Sequence, residues 1–307
     1  MSPRQKILVI GAGELGYQVL NSLAKHPHKA EAVAVLLRPS SISSTDPLKK
    51  EQNESLRSLG VSLIPGDIIE DSESALVSIF KGYDIVIGCT GFVSGKGAQL
   101  KVTRAVLEAK TPYYIPWQFG VDYDLIGRGS PQDLFEEQLD VRDLLRSQTE
   151  TRWTIISTGM FTSFLFEPSF GVVDLQNRTV SALGGWENRV TVTTPADIGR
   201  FTAEIVLGED WGKDFADCPI FVGGDTVSYE EVAQLMESVT GKGMKRNVLA
   251  LPEIKAALSE DPDNGILKYQ AVFSQGRGVA WDISKTWNMQ RGLYATTAEE
   301  WARNSLV

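Results

Sequence analysis

Near its start the chain reads Ile7-Leu8-Val9-Ile10-Gly11-Ala12-Gly13-Glu14-Leu15-Gly16. An apolar run of strand length is followed by G-x-G-x-x-G. The segment Glu14 to Ala24 comes next, with Leu15, Val19, Leu20 and Leu23 at helical spacing. A strand that turns tightly into a helix opens a β-α-β unit, so the next strand runs parallel to the first. The glycines have separate geometric tasks. Gly11 permits the turn, Gly13 lets the backbone approach a pyrophosphate, and Gly16 lets the helix lie close to the strand. The helix start adds free N–H groups and the positive end of a dipole. The glycine pattern alone is weak, but between a strand and a helix it marks a candidate dinucleotide site. Its candidate residues are Gly11, Gly13, Glu14, Leu15 and Gly16.

The alternation continues. Ala32–Leu37, Val61–Ile64, Asp84–Gly88, Pro112–Ile115 and Trp153–Ser157 read as strands, and 96–109 and 132–147 as helices. Most of the strands are continuous apolar runs, as expected for strands buried on both faces of a parallel sheet. The fold class is therefore α/β, a doubly wound parallel sheet of Rossmann type. After Thr158 the pattern changes to an aromatic stretch and short β-like pieces at 171–175, 179–183 and 189–193. Helices at 195–207 and 229–239 follow. The expected division is a dinucleotide domain over 1–158 and a smaller mixed α/β lobe over 159–307. The lobe covers the substrate, packed on the first domain and partly interleaved with it. A chain of 307 residues, 42% hydrophobic, can bury one large core plus a modest lobe of this kind.

The end of the second strand separates the two nicotinamide cofactors. An NAD site places an acid there for the ribose 2′-OH. This chain has Arg38, which cannot accept a hydrogen bond but pairs well with a 2′-phosphate. NADP(H) is the expected cofactor. Lys49 and Lys50, in what reads as a polar loop, either add charge or are simply solvated. Two more strand ends face the same crevice: Gly66-Asp67 and Thr90-Gly91-Phe92. Asp67 either lines the crevice or caps the next helix.

The net charge is -9, which opposes a phosphate backbone and argues against a nucleic-acid partner. Apolar stretches are strand-sized, so no membrane span is expected. MSPRQ leads directly into the first strand, and Cys89 and Cys218 form no disulfide framework; a cytoplasmic location is the expectation. His26 and His28 sit close together in a polar turn, and no metal site is expected. Oligomeric state, monomer or homodimer, stays open.

These residues resemble the NmrA-like group of atypical short-chain dehydrogenases, which includes isoflavone reductase and phenylcoumaran benzylic ether reductase. The resemblance rests on Gly11 to Gly16, Arg38-Pro39, Gly66-Asp67, Gln99 and Asp197-Ile198-Gly199. Most specific is Ile115-Pro116-Trp117-Gln118-Phe119-Gly120, where the family has a Pro-Ser-Glu-Phe-Gly-like motif. It covers the chain to about residue 240 and is nearest to fungal reductase-like members, some tied to secondary metabolism. It implies NADPH binding, with Gln99, Gln118 and Phe119 at the cofactor. It also implies a lysine followed four residues later by an arginine. Here Arg142 matches the arginine and Gln138 stands in place of the lysine. A glutamine can hold a carbonyl or a water but cannot titrate. No tyrosine has a lysine four residues on, so the short-chain Tyr-x-x-x-Lys pair is also absent.

Two readings follow. The favoured one is an NADPH-dependent reductase of a small aromatic or conjugated carbonyl or ether-type substrate. Its substrate residues are Trp117, Tyr123, Met160, Phe161 and Phe164, and its candidate catalytic residues are Gln138 and Tyr123. Asp122 and Asp124 are either donors or caps. The other reading is a non-catalytic NADP(H)-binding redox sensor of the NmrA type, which the missing lysine favours.

Overall fold

The computed structural model describes residues 5–91, 95–210, 212–213 and 217–306. The chain begins β1 (Lys6–Ile10), α1 (Glu14–Lys25), β2 (Ala32–Leu37), α2 (Pro39–Ile42), α3 (Pro47–Ser58), β3 (Ser62–Pro65) and α4 (Glu73–Phe80). It continues β4 (Ile85–Gly88), α5 (Ala98–Glu108), β5 (Tyr113–Ile115), α6 (Tyr123–Ile126), α7 (Leu134–Arg146) and β6 (Arg152–Ser157). Then come β7 (Met160–Phe161), α8 (Thr162–Leu165), β8 (Val173–Asp174), β9 (Thr179–Leu183), β10 (Arg189–Thr193), α9 (Pro195–Leu207) and β11 (Cys218–Phe221). Last are β12 (Asp225–Ser228), α10 (Tyr229–Thr240), β13 (Lys245–Leu249), α11 (Leu251–Glu260), α12 (Gly265–Phe273), α13 (Trp287–Gln290) and α14 (Ala298–Ser305).

Seven strands form one parallel sheet in the order β3-β2-β1-β4-β5-β6-β11, the Rossmann-type arrangement. β1 lies between β2 (Ile7 opposite Val33) and β4 (Ile7 opposite Ile85). The order reverses at this pair, so the carboxyl ends of β1 and β4 frame the crevice where open α/β sheets bind ligands. β4 is buried at all four positions. Apolar strand and helix residues close one core on a face of the sheet, including Leu8, Leu36, Val86, Tyr114, Phe80, Val106 and Leu145.

Two compact units emerge. The first comprises Met1–Gln118, Asp140–Ile156 and Ile198–Ile220; the second Phe119–Leu139, Ser157–Asp197 and Phe221–Val307. The second carries the three-stranded sheets β12-β10-β7 and β13-β9-β8. Within the first, the histidine turn is less open than its polar sequence suggests. His26 is held 2.9 Å from Glu204 Oε2, and His28 Nδ1 lies 3.0 Å from the Leu207 carbonyl. Among the described residues, no helix is long and apolar enough to cross a membrane, and no cluster of three His, Cys, Asp or Glu side chains could hold a metal.

Two elements depart from the expected pattern. The stretch bearing Lys49 and Lys50 is not a loop but helix α3, twelve residues long. Pro47 opens it and the Asp46 carboxylate accepts the Lys49 N–H, a cap that needs no apolar stripe. The sheet also gains a seventh strand, β11, beside β6.

Candidate functional site

β1 ends at Ile10, and Gly11 follows at φ +91, in the left-handed region. A Cβ on Gly11 would lie 2.6 Å from Thr90 Oγ1, and one on Gly16 only 2.2 Å from the Gly11 carbonyl oxygen. Both glycines are therefore demanded by the protein's own packing. Gly13 is different: a Cβ there would meet nothing within 4 Å. The fold leaves that space open beside the start of α1, whose N-cap Gly13 supplies no side-chain cap. The first-turn amides have no intrahelical acceptor, so the position suits an anion. Glu14 is exposed there, while the Leu15 side chain turns into the core at 4% exposure and offers a ligand only its backbone.

Two cations, Arg38 and Lys49, lie beyond the end of β2. Arg38 follows β2 directly, at the N-cap of α2, and is exposed. Lys49 is exposed on α3, with Nζ 3.3 Å from Gln52 Oε1. Asp67 Oδ1 accepts the Ile69 N–H at 2.8 Å and the Glu70 N–H at 3.3 Å. It caps this turn and not the helix, since Ser72 caps α4.

The β4 end is tied to the glycine loop. Thr90 Oγ1 donates to the Ile10 carbonyl at 2.9 Å, and Gln99 Nε2 donates to the Thr90 carbonyl at 2.8 Å. Gly91 is needed because the Trp117 indole lies against it; a Cβ would come 2.9 Å from Trp117 Cζ2. Phe92 lies outside the described residues. Beneath the loop, burial pushes the Cys89 thiol up, so it stays protonated and acts as packing.

The motif after β5 places Gln118 fully buried, where its Oε1 accepts from Arg142 Nε at 2.7 Å. Arg142 and Gln138 are also fully buried, one turn apart on α7. Gln138 is thus an interior residue and not part of a solvated helix face.

In the second unit, Phe119 and Tyr123 are buried at 4% and 2% exposure. The Tyr123 ring meets Phe135 edge-on at 4.9 Å, and Phe135 meets Tyr269 at 6.0 Å. Phe164 packs on Phe170 at 4.6 Å and on Tyr269 at 6.0 Å. Met160 and Phe161 form β7, paired with Val192 and Thr193 of β10. Asp122 caps α6 through the Leu125 N–H. Tyr269 was not anticipated from sequence. Burial, and then the nearby Tyr123, raise its phenol, so it stays protonated. Nothing in Lys268-Tyr269-Gln270 marks it; only the fold brings it to Phe135 and Phe164.

The family described as "NmrA-like family" matches residues 3–302. An NmrA-like family domain-containing oxidoreductase of Gibberella moniliformis is 47% identical, over 97% of each chain. A crystal structure of isoflavone reductase superposes with a TM-score of 0.81 at 23% identity, covering 99% of this chain and 100% of that one. A leucoanthocyanidin reductase of Vitis vinifera in binary complex with NADPH superposes at 0.79 and 21% identity, covering 96% of this chain and 97% of that one.

Proposed function

Because the chain belongs to the NmrA-like family, we propose that it is an oxidoreductase that uses NADPH to reduce a small aromatic or conjugated substrate of phenylpropanoid type. One observation carries the cofactor reading. The glycine loop is open at Gly13 alone, beside an uncapped twelve-residue helix, with the exposed Arg38 guanidinium at the next strand end. The open cradle fits a pyrophosphate, and Arg38 fits a 2′-phosphate better than a bare ribose. Lys49 adds charge at the same end; Thr90, Gly91, Gln99, Gln118 and Phe119 hold the nicotinamide end. The cofactor supplies a hydride when bound.

The chain's own residues must then orient the substrate, exclude water and place a proton on the atom that gains negative charge. Trp117, Met160, Phe161 and Phe164 supply apolar surface. Gln138 donates its amide N–H to a substrate oxygen or holds the water that protonates it, and Tyr123 is the hydroxyl candidate for that proton. Gln138 keeps one protonation state throughout, so it polarises without exchanging a proton.

The same residue favours a second reading, a dinucleotide-dependent regulator that turns nothing over. The test is purified protein with NADPH and a panel of aromatic aldehydes, enones, quinones and benzylic ethers, read at the cofactor absorbance. Turnover of any of them supports the reductase; tight NADPH binding without turnover supports the regulator; no NADPH binding overturns both.

A further inference from the structure

The Ala12 carbonyl, in the middle of the glycine loop, is held by a side chain from α3: Gln52 Nε2 donates to it at 2.9 Å. The other end of the same amide, Oε1, accepts from Lys49 Nζ at 3.3 Å. The assignment of the amide is unambiguous, because a carbonyl only accepts and an ammonium only donates. Gln52 therefore sits between the cation at the adenosine end and the loop that meets the pyrophosphate. In a planar trans peptide the carbonyl and the following N–H point in opposite directions. Drawing the Ala12 oxygen toward α3 turns the Gly13 N–H away from α3, and Gly13 is where the loop is open. Neighbouring contacts brace the same helix. Asn53 Nδ2 donates to the Ser41 carbonyl at 2.9 Å, on the segment just after Arg38, and the Tyr17 and Ser55 hydroxyls lie 2.9 Å apart.

We propose that Gln52 is a positioning and specificity residue for the dinucleotide. It aims the Gly13 N–H and restrains the Lys49 ammonium, so that recognition of the 2′-phosphate and of the pyrophosphate are coupled through one amide. This rests on the NADPH reading above. NADH makes no use of Lys49, so loss of Gln52 costs it only the aim of the loop. NADPH loses that and also the ordering of a flexible lysine.

The test is a double-mutant cycle on dissociation constants for NADPH and NADH, with wild type, Lys49→Ala, Gln52→Ala and the double variant, and thermal midpoints recorded for each. Gln52→Ala should weaken NADH about threefold and NADPH about tenfold, the range of one to two modest hydrogen bonds. In the Lys49→Ala background both cofactors should lose only about threefold. Equal losses for both cofactors in both backgrounds would reduce Gln52 to a structural brace. Tighter NADPH binding in Gln52→Ala would show that it holds Lys49 out of place. If wild type binds neither cofactor, the dinucleotide reading itself has failed, a result distinct from either of these.

Discussion

Gly13 and Gly16 are three residues apart in one motif and respond to opposite tests. A side chain on Gly16 collides with the Gly11 backbone, so Gly16→Ala should destabilise the fold by about 1–3 kcal/mol, measured as a lower unfolding midpoint. A side chain on Gly13 meets only open space. Gly13→Val should leave the midpoint within about 2 °C yet abolish NADPH binding. If both variants merely unfold, the open cradle has been misread. Arg38→Ala should weaken NADPH about tenfold or more and leave NADH unchanged, since a charge-assisted hydrogen bond contributes about 1.5–3 kcal/mol; fluorescence titration of both cofactors decides this. Gln138→Lys restores a titrating group in a buried position. The pH–rate profile should gain a limb that wild type lacks, with NADPH affinity nearly unchanged. Superimposable profiles would make the position silent and pass proton delivery to Tyr123 or water. These proposals could be made from sequence because Gly13 and Arg38 stand beside recognisable strand ends, and Gln138 stands where the resembled family carries a lysine. Tyr269 and the indole of Trp117 against Gly91 could not be read this way, since neither contact is encoded locally.

At the scale of elements, legibility followed burial. β1 and β4, buried almost throughout, announce themselves as apolar runs. Helix α3 buries only Asn53 and Leu56, so no apolar stripe at helical spacing exists to be read. Its signals were chemical: an Asp followed by Pro, the cap and first-turn residues of a helix. Strand β13 is exposed at four of its five positions and gives no strand pattern at all. The cap makes α3 testable. Asp46→Ala removes the acceptor of the Lys49 N–H and should cost about 1 kcal/mol. Faster amide exchange should appear in 47–58, along with weaker NADPH binding, because Lys49 and Gln52 ride on this helix. Unchanged exchange there would mean that packing, not the cap, holds α3.

For the whole molecule, the response to acid should be uneven. Hydrogen bonds from Arg246 hold the Glu230 and Glu237 carboxyls low, and the Ser228 N–H does the same for Glu231. Asp174 is lowered by the Asn177 N–H and Glu300 by the Tyr294 hydroxyl. A carboxyl lowered in the folded state stabilises above its unfolded pKa, and that contribution is lost as pH falls through the folded one. The unfolding midpoint should therefore drop below about pH 4, the ordinary carboxylate range. All of these groups belong to the second unit, so amide exchange at low pH should quicken first in 157–197 and 221–306, and less steeply in high salt. Simultaneous loosening of both units would contradict this. The alternating first half specified its sheet from sequence, yet the last strand of that sheet, Cys218–Phe221, arrives long after its neighbour β6. On a ribosome adding about 5–20 residues per second, the nascent sheet waits for seconds with β6 as a bare edge, able to pair with another emerging chain. Translation speed between Ser157 and Cys218, and any chaperone guarding that edge, should thus govern yield more strongly than the same delay elsewhere in the message.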